Sequence, residues 1–255
     1  MSTKPQLGDP TAHNNFPTCQ VAVDAIKSAL DSPSMAAGYV NACGTPEARE
    51  SIASHHSCPE SNLVVDPDDV VVASGCSGAL ELAITALLDE GSSVLLVPRP
   101  GFPIYQVIAE SHGASIAYYD LDPNKNWECN LEHVEQVINR IEREHILSSS
   151  PLPFENSASA KIVRGIVVNS PGNPTGSVYS QNHLCEILRL ADRYRLPIIA
   201  DEVYGDLSFG EALFHPLAQV ASSIQSQVPI ITVSGLGKQY LVPGWRLGWL
   251  VFHDK

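Results

Sequence analysis

The stretch DVVVASGCSGALELAITALLDEGSSVLLVP, residues 69–98, holds two apolar runs on either side of a helical pattern. The runs at 69–74 and 92–98 are short and rich in β-branched residues, as strands are, while 77–91 has helical spacing. Continuous apolar runs are typical of strands that a sheet buries on both faces. A strand, a helix and a second strand in this order predict a βαβ unit with parallel strands.

The same alternation continues along the chain. Five further strands are predicted at 114–121, 161–169, 196–202, 228–234 and 247–253. Two further helices are predicted at 130–145 and 182–194. We therefore expect an α/β fold with a mostly parallel, seven-stranded sheet and helices on both faces. The Ser- and Pro-rich segment 146–161 predicts an exposed insertion between a helix and the next strand.

The composition narrows the class of protein. A chain of 255 residues with 44% hydrophobic and 17% charged residues is typical of a globular protein with a large core. A net charge of −13 argues against nucleic acid or an anionic membrane as a partner. The six cysteines form no CxxC pair, which favours reduced thiols and a cytoplasmic protein. We also expect neither a signal peptide, a membrane span nor a metal site.

Two isolated cations mark the stretch SGLGKQYLVPGWRLGW, residues 234–249. Lys238 and Arg246 are its only formal charges, and no other Asp, Glu, Lys or Arg occurs between Ala212 and His253. A neutral lysine amine in apolar surroundings can bond to an aldehyde, and an arginine can hold a phosphate in bidentate fashion. The alternative is that both side chains lie on a solvated loop.

Other strand ends carry groups that suit a planar, phosphorylated ligand. Residues 75–78, Gly-Cys-Ser-Gly, open a predicted helix, where backbone N–H groups can bind a phosphate. Phe102 follows the next strand and can stack on a ring. The alternatives are an ordinary strand-to-helix turn and a packed loop phenylalanine.

Three polar residues follow the later strands. Asn173 lies between two prolines in NSPGNPTG, and Asp201 ends a buried strand, where its carboxylate needs a partner. Tyr204 follows three residues after Asp201. Together these groups suit pyridoxal phosphate, with an aspartate for the ring nitrogen and an amide and a phenol for the ring oxygen. The alternatives are a rigid turn and a helix cap with a packed tyrosine.

The motifs SGCSGAL, PRPGFPIY, NSPGNPTG, ADEVYGD and SGLGKQYLVPGWRLGWL, in this order, resemble class I aminotransferases, which are fold-type I enzymes that use pyridoxal phosphate. They are most similar to the tyrosine aminotransferase branch. The resemblance implies that Lys238 binds the aldehyde and moves the substrate proton, while Asp201, Tyr204 and Asn173 hold the ring. It also implies a homodimer.

The resemblance extends to further cofactor and substrate residues. Cys76, Ser77 and Arg246 would bind the phosphate, Phe102 would stack on the ring, and Tyr39 would reach the phosphate of the partner subunit. Gly8 and Asn173 would approach the substrate. The family's hydroxyl residues beside the lysine are glycines here, so Ser234 is the nearest hydroxyl candidate for the phosphate.

In this family the arginine that binds the substrate carboxylate lies in a C-terminal small domain, and no arginine follows Arg246. We therefore expect residues 1–45 to start the large domain, residues 46–255 to form its cofactor-binding part, and the small domain to be absent. The resemblance implies transamination of a tyrosine-like amino acid with a 2-oxo acid such as 2-oxoglutarate. The alternatives are a C–S lyase or synthase of the same fold, or a non-catalytic protein that binds the cofactor.

Overall fold

A computed structural model describes residues 11, 16–31, 38–148 and 161–254. The helices are α1 (Gln20–Leu30), α2 (Pro46–His56), α3 (Gly75–Leu87), α4 (Ile104–Ser111), α5 (Leu131–Ser148), α6 (Gln181–Tyr194), α7 (Leu217–Ser223) and α8 (Leu236–Gln239). The strands are β1 (Val70–Ser74), β2 (Ser93–Arg99), β3 (Ser115–Asp122), β4 (Glu128–Cys129), β5 (Ile162–Asn169), β6 (Ile198–Asp201), β7 (Ile230–Gly235) and β8 (Leu247–His253). No helix in these ranges is long and apolar enough to cross a membrane.

The strands form one mixed sheet in the order β1-β8-β7-β6-β5-β2-β3-β4. The five strands from β7 to β3 run parallel, while β8 is antiparallel to both β7 and β1. The α/β fold is therefore confirmed, but the predicted count of seven strands was one too low. The additional strand is β4, which pairs with the end of β3 over two residues and is too short to show as an apolar run.

Both faces of the central strands are buried, which explains their continuous apolar runs. Leu96, Ile198 and Ile230 belong to a core beneath α5, α6 and α7, whereas Leu95 and Ile199 belong to a second core beneath α3 and α4. Neighbouring residues thus enter different cores, because successive side chains in a strand point to opposite faces.

The segment predicted as an exposed insertion begins inside a helix. Helix α5 continues to Ser148, and its residues Ile146 and Leu147 are exposed. The remainder of the predicted insertion, 149–160, lies outside the described residues.

The parallel strands β2, β5, β6 and β7 all end at one edge of the sheet. Their last residues are Arg99, Asn169, Asp201 and Gly235. In open α/β sheets, ligands bind beyond this carboxyl edge, so it is the place to look for a functional site.

Candidate active site

A pocket of about 210 Å³ opens at the carboxyl edge of the parallel strands. Eight of the residues predicted for the site line it: Cys76, Ser77, Phe102, Asn173, Asp201, Tyr204, Lys238 and Arg246. They come from five separate segments of the chain. The fold therefore brings together residues that are up to 170 positions apart in sequence (76 to 246).

Two other predicted residues, Ser234 and Tyr39, are not among those that line this pocket. Ser234 lies on β7, where it points to the opposite face from Val233 and lines a different cavity. The side chain of Tyr39 is fully exposed, and Gly8 lies outside the described residues. Ser234 does not face the pocket because successive side chains along a strand point to opposite faces of the sheet.

Asp201 forms the floor of the pocket and is only 4% exposed. The hydroxyl of Tyr105 donates to its Oδ2 at 2.6 Å, and the backbone N–H of Val203 donates to its Oδ1 at 3.3 Å. Burial raises the pKa of this carboxyl, and the Tyr105 hydrogen bond opposes that rise. A cationic group of a ligand placed against Asp201 would favour the ionised form.

Tyr105 is a site residue that the sequence reading passed over in favour of Phe102. It lies in the first turn of α4 and is completely buried, and its ring meets that of Phe102 edge to face at 6.5 Å. Burial, followed by the nearby Asp201, raises the pKa of its phenol well above the usual range, so the group stays a donor. Its position in the first turn of the helix that follows the Phe102 loop was the available signal.

Asn169 is a second residue that the sequence reading missed, although the quoted motif contained it. Its Nδ2 donates to the backbone oxygens of Asp201 at 3.0 Å and Pro171 at 3.3 Å. Its Oδ1 accepts from the backbone N–H of Asn173 at 2.8 Å. Asn169 therefore ties the end of β5 to the end of β6 and holds the segment that carries Asn173.

The opposite end of the pocket is shaped for an anion. Helix α3 begins at Gly75, whose φ of +69° is left-handed, and a Cβ there would lie 2.5 Å from Nη2 of Arg246. Arg246 hydrogen-bonds the backbone oxygens of Pro243 and Ser74 at 3.2 and 3.4 Å. A helix N-terminus beside a guanidinium group is a favourable place for a phosphate.

Lys238 lies on the short helix α8 and lines the same pocket. Its Nζ is 5.6 Å from the centre of the Tyr204 ring, a cation–π distance. Among the ion pairs between described residues, none involves Asp201, Lys238 or Arg246. The charged groups of the pocket are thus available to a ligand.

Comparison with known proteins identifies the family of this chain. Residues 6–255 match the family model for aminotransferase class I and II. A tyrosine aminotransferase of Bos taurus is 42% identical over 249 residues, which cover 98% of this chain and 49% of that protein. One from Dictyostelium discoideum is 39% identical, with coverages of 98% and 53%.

Solved structures agree with the fold. The tyrosine aminotransferase of Leishmania infantum matches with a TM-score of 0.80 at 27% identity, over 98% of this chain and 61% of that one. An alanine aminotransferase from Pyrococcus furiosus matches with a TM-score of 0.76 at 28% identity, over 94% and 53%. The chain spans about half the length of the curated relatives it matches.

Proposed function

Because this chain belongs to the class I and II aminotransferase family, we propose that it forms the cofactor-binding part of a pyridoxal-phosphate-dependent transaminase. The amino donor is tyrosine or a similar aromatic amino acid, and the acceptor is a 2-oxo acid such as 2-oxoglutarate. One observation carries the proposal: Asp201, Lys238 and Arg246 converge on one pocket without pairing with one another.

The residues of the pocket fit this cofactor. Arg246 and the N-terminus of α3 match its phosphate, and the absence of a Cβ at Gly75 keeps that corner open. The buried Asp201 matches a protonated ring nitrogen, since a cation there would offset the cost of burying an ionised carboxylate. Asn173 and Tyr204 offer an amide and a phenol for the ring oxygen. Phe102 offers an aromatic face to the ring.

When bound, pyridoxal phosphate supplies an electron sink for the electron pair left at the substrate's α-carbon. Asp201 holds the proton on the ring nitrogen and so strengthens that sink. Lys238 would hold the aldehyde group of the cofactor through its Nζ, and its amine would serve as the base for the proton on the substrate's α-carbon. Phe102 and Tyr204 fix the plane of the ring while this transfer takes place.

The donor class rests on sequence similarity. The curated tyrosine aminotransferases of Bos taurus and Dictyostelium discoideum are 42% and 39% identical to this chain over 98% of its length, and this similarity supports an aromatic donor. A homodimer is part of the proposal, and the full exposure of Tyr39 supports it, because that ring has no described neighbour to cover it. Cytoplasmic location is supported by six cysteines that are all free.

The test uses the purified 255-residue chain with pyridoxal phosphate. We expect a visible absorbance change on cofactor binding, and loss of that change in Lys238→Ala. In a protein that also carries the C-terminal small domain, addition of tyrosine and 2-oxoglutarate should release the aromatic 2-oxo acid and glutamate. Formation of pyruvate and ammonia from a β-substituted amino acid, without transfer, would overturn the proposal in favour of a lyase. A cofactor spectrum that no amino acid changes would show a binding protein without transfer activity.

A further inference from the structure

A second cavity, of about 350 Å³, lies behind the wall of the first pocket. The two cavities share two short segments of chain, 201–206 and 234–239, in which residues close together in sequence face different sides. Asp201 lines the first cavity and Glu202 the second, and Lys238 and Gln239 divide in the same way. The second cavity is therefore a separate space bounded by the same strand ends.

The wall of this cavity carries several hydrogen-bond acceptors, among them the side chains of His55, Glu202, Asp206 and Ser234. The amides of Gln219 and Gln239 also line it, and their Nε2 groups donate to Cys58, Ser61 and Asp206. Among the described residues that line it, none is a lysine or an arginine. Two carboxyl groups and one aromatic ring without a balancing cation make the cavity suitable for a positively charged occupant.

Two of these polar groups are buried with unused bonding capacity. Ser234 is 3% exposed, and its hydroxyl makes no hydrogen bond to any described residue. Glu202 is 7% exposed; its Oε1 accepts from the backbone N–H of Leu217 at 2.7 Å, which leaves its other oxygen available. Buried polar groups are rarely left without partners, so the hydroxyl of Ser234 indicates a ligand, and Glu202 can add a second contact.

We propose that this cavity binds a small organic cation with N–H donors, of the guanidinium or alkylammonium class. Glu202 and Ser234 receive its N–H groups on the inner wall, and Asp206, which already accepts from Nε2 of Gln239, lies at the exposed side. The ring of Phe214 also lines the cavity. A metal ion does not fit equally well, because the described residues contain no group of three or more metal-binding side chains. The site is independent of the transaminase proposal.

The charge state of the wall gives the site a distinctive pH dependence. Burial, followed by the nearby Asp201, raises the pKa of Glu202 to about 8 against the opposing Leu217 hydrogen bond. A bound cation favours the ionised carboxylate, so binding below pH 8 releases a proton and affinity rises about tenfold per pH unit. His55, His56, Cys58 and Asp206 also line this cavity. Burial lowers the pKa of His56 to about 3, so it stays neutral over the same range.

The experiment compares two probes of similar shape, methylguanidinium and the neutral N-methylurea, by calorimetry at pH 6, 7 and 8. The chain is used with pyridoxal phosphate bound, since neither probe carries a primary alkylamine that would react with the aldehyde. Methylguanidinium should bind about tenfold more tightly at pH 7 than at pH 6, and N-methylurea should not compete. Equal binding of both probes, or no binding of methylguanidinium, would overturn the proposal.

Variants separate the site from general electrostatics. Glu202→Gln keeps the acceptor for Leu217 and should weaken methylguanidinium binding at pH 8 at least tenfold and remove its pH dependence. Ser234→Ala, a small change that serves if the first variant folds poorly, should weaken binding several-fold. Glu142→Gln makes the same change of residue type at an exposed position on α5, and it should leave methylguanidinium binding unchanged. Wild-type affinity in both cavity variants would refute the site, whatever the transaminase assay shows.

Discussion

Removal of the Tyr105 hydroxyl tests how the pocket prepares Asp201 for a cofactor. In the Tyr105→Phe variant the ring keeps its packing, but Oδ2 of Asp201 loses the donor that lies at 2.6 Å. The two groups are buried, so water cannot readily replace the lost hydroxyl.

The magnitude follows from the difference between two charge states of Asp201. Burial raises the pKa of this carboxyl and so favours its neutral form when no cation lies beside it, and a hydrogen bond to a neutral carboxyl is worth about 0.5–1.5 kcal/mol. Beside a cationic ring nitrogen the carboxylate is ionised, and the bond is then worth about 1.5–3 kcal/mol. The difference, about 1–1.5 kcal/mol, is lost from cofactor binding, which corresponds to a Kd about 5–12-fold higher.

The assay is a titration of the chain with pyridoxal phosphate at pH 7.5, followed by absorbance. Tyr119→Phe is the matched control, because Tyr119 is equally buried and donates to the backbone oxygen of Val167 at 2.7 Å, outside the pocket. That variant should lose stability while its cofactor Kd stays unchanged. Wild-type affinity in Tyr105→Phe, or equal loss in both variants, would refute the role given to Tyr105.

Three further perturbations test other parts of the molecule. Arg246→Ala should raise the Kd of pyridoxal phosphate about 10- to 150-fold, because about 1.5–3 kcal/mol of charged hydrogen bonding is lost. The Kd of pyridoxal, which lacks the phosphate, should stay nearly unchanged. An equal loss for both ligands would contradict the phosphate role. Asn169→Ala should lower the free energy of unfolding in urea by about 1–3 kcal/mol for each buried backbone group that is left without a partner. Wild-type stability of this variant would count against the role of Asn169 in joining β5 to β6. The pKa of His56 is about 3 in the folded chain, against 6.5 when unfolded, because of burial and then the nearby His55 and His253. The unfolded chain therefore binds this proton first, and stability should fall by up to about 1.4 kcal/mol per unit as pH drops from 6.5 toward 3. His56→Gln should reduce that slope in urea melts at a series of pH values, and an unchanged slope would assign it to other groups.

The sequence predicted the fold well because its central strands are buried on both faces. Runs such as Val94–Val97 are continuous only when both neighbours along the strand enter a core, and this pattern is visible without coordinates. Strand β4 was not predicted because two residues are too few to form a recognisable apolar run. Its pairing depends on the turn that returns the chain beside β3.

Residues of the candidate site could be predicted where a charged side chain occurs in an apolar stretch of sequence, because burying an unpaired charge costs free energy. Lys238 and Arg246 stood out as lone charges, and Asp201 stood out as an acid at the end of a buried strand. Tyr105 and Asn169 act through atoms of other residues, so their roles depend on distances that a sequence does not contain. Ser234 was predicted to line the cofactor pocket because it lies close to Lys238 in sequence. In the structure its side chain lies on the other face of the strand and lines the second cavity.

The antiparallel pairing of β1 with β8 has a consequence for how the protein is made. Ser74 lies opposite Leu247, and the hydrogen bond from Arg246 to Ser74 joins residues 172 positions apart. At a ribosomal rate of about 5–20 residues per second, the nascent chain carries Gly75 for roughly 10–35 s before its arginine partner is even synthesised. Among the described residues that line the pocket, the phosphate corner is thus the last part to assemble, so a nascent chain should acquire tight cofactor binding only when β8 has emerged.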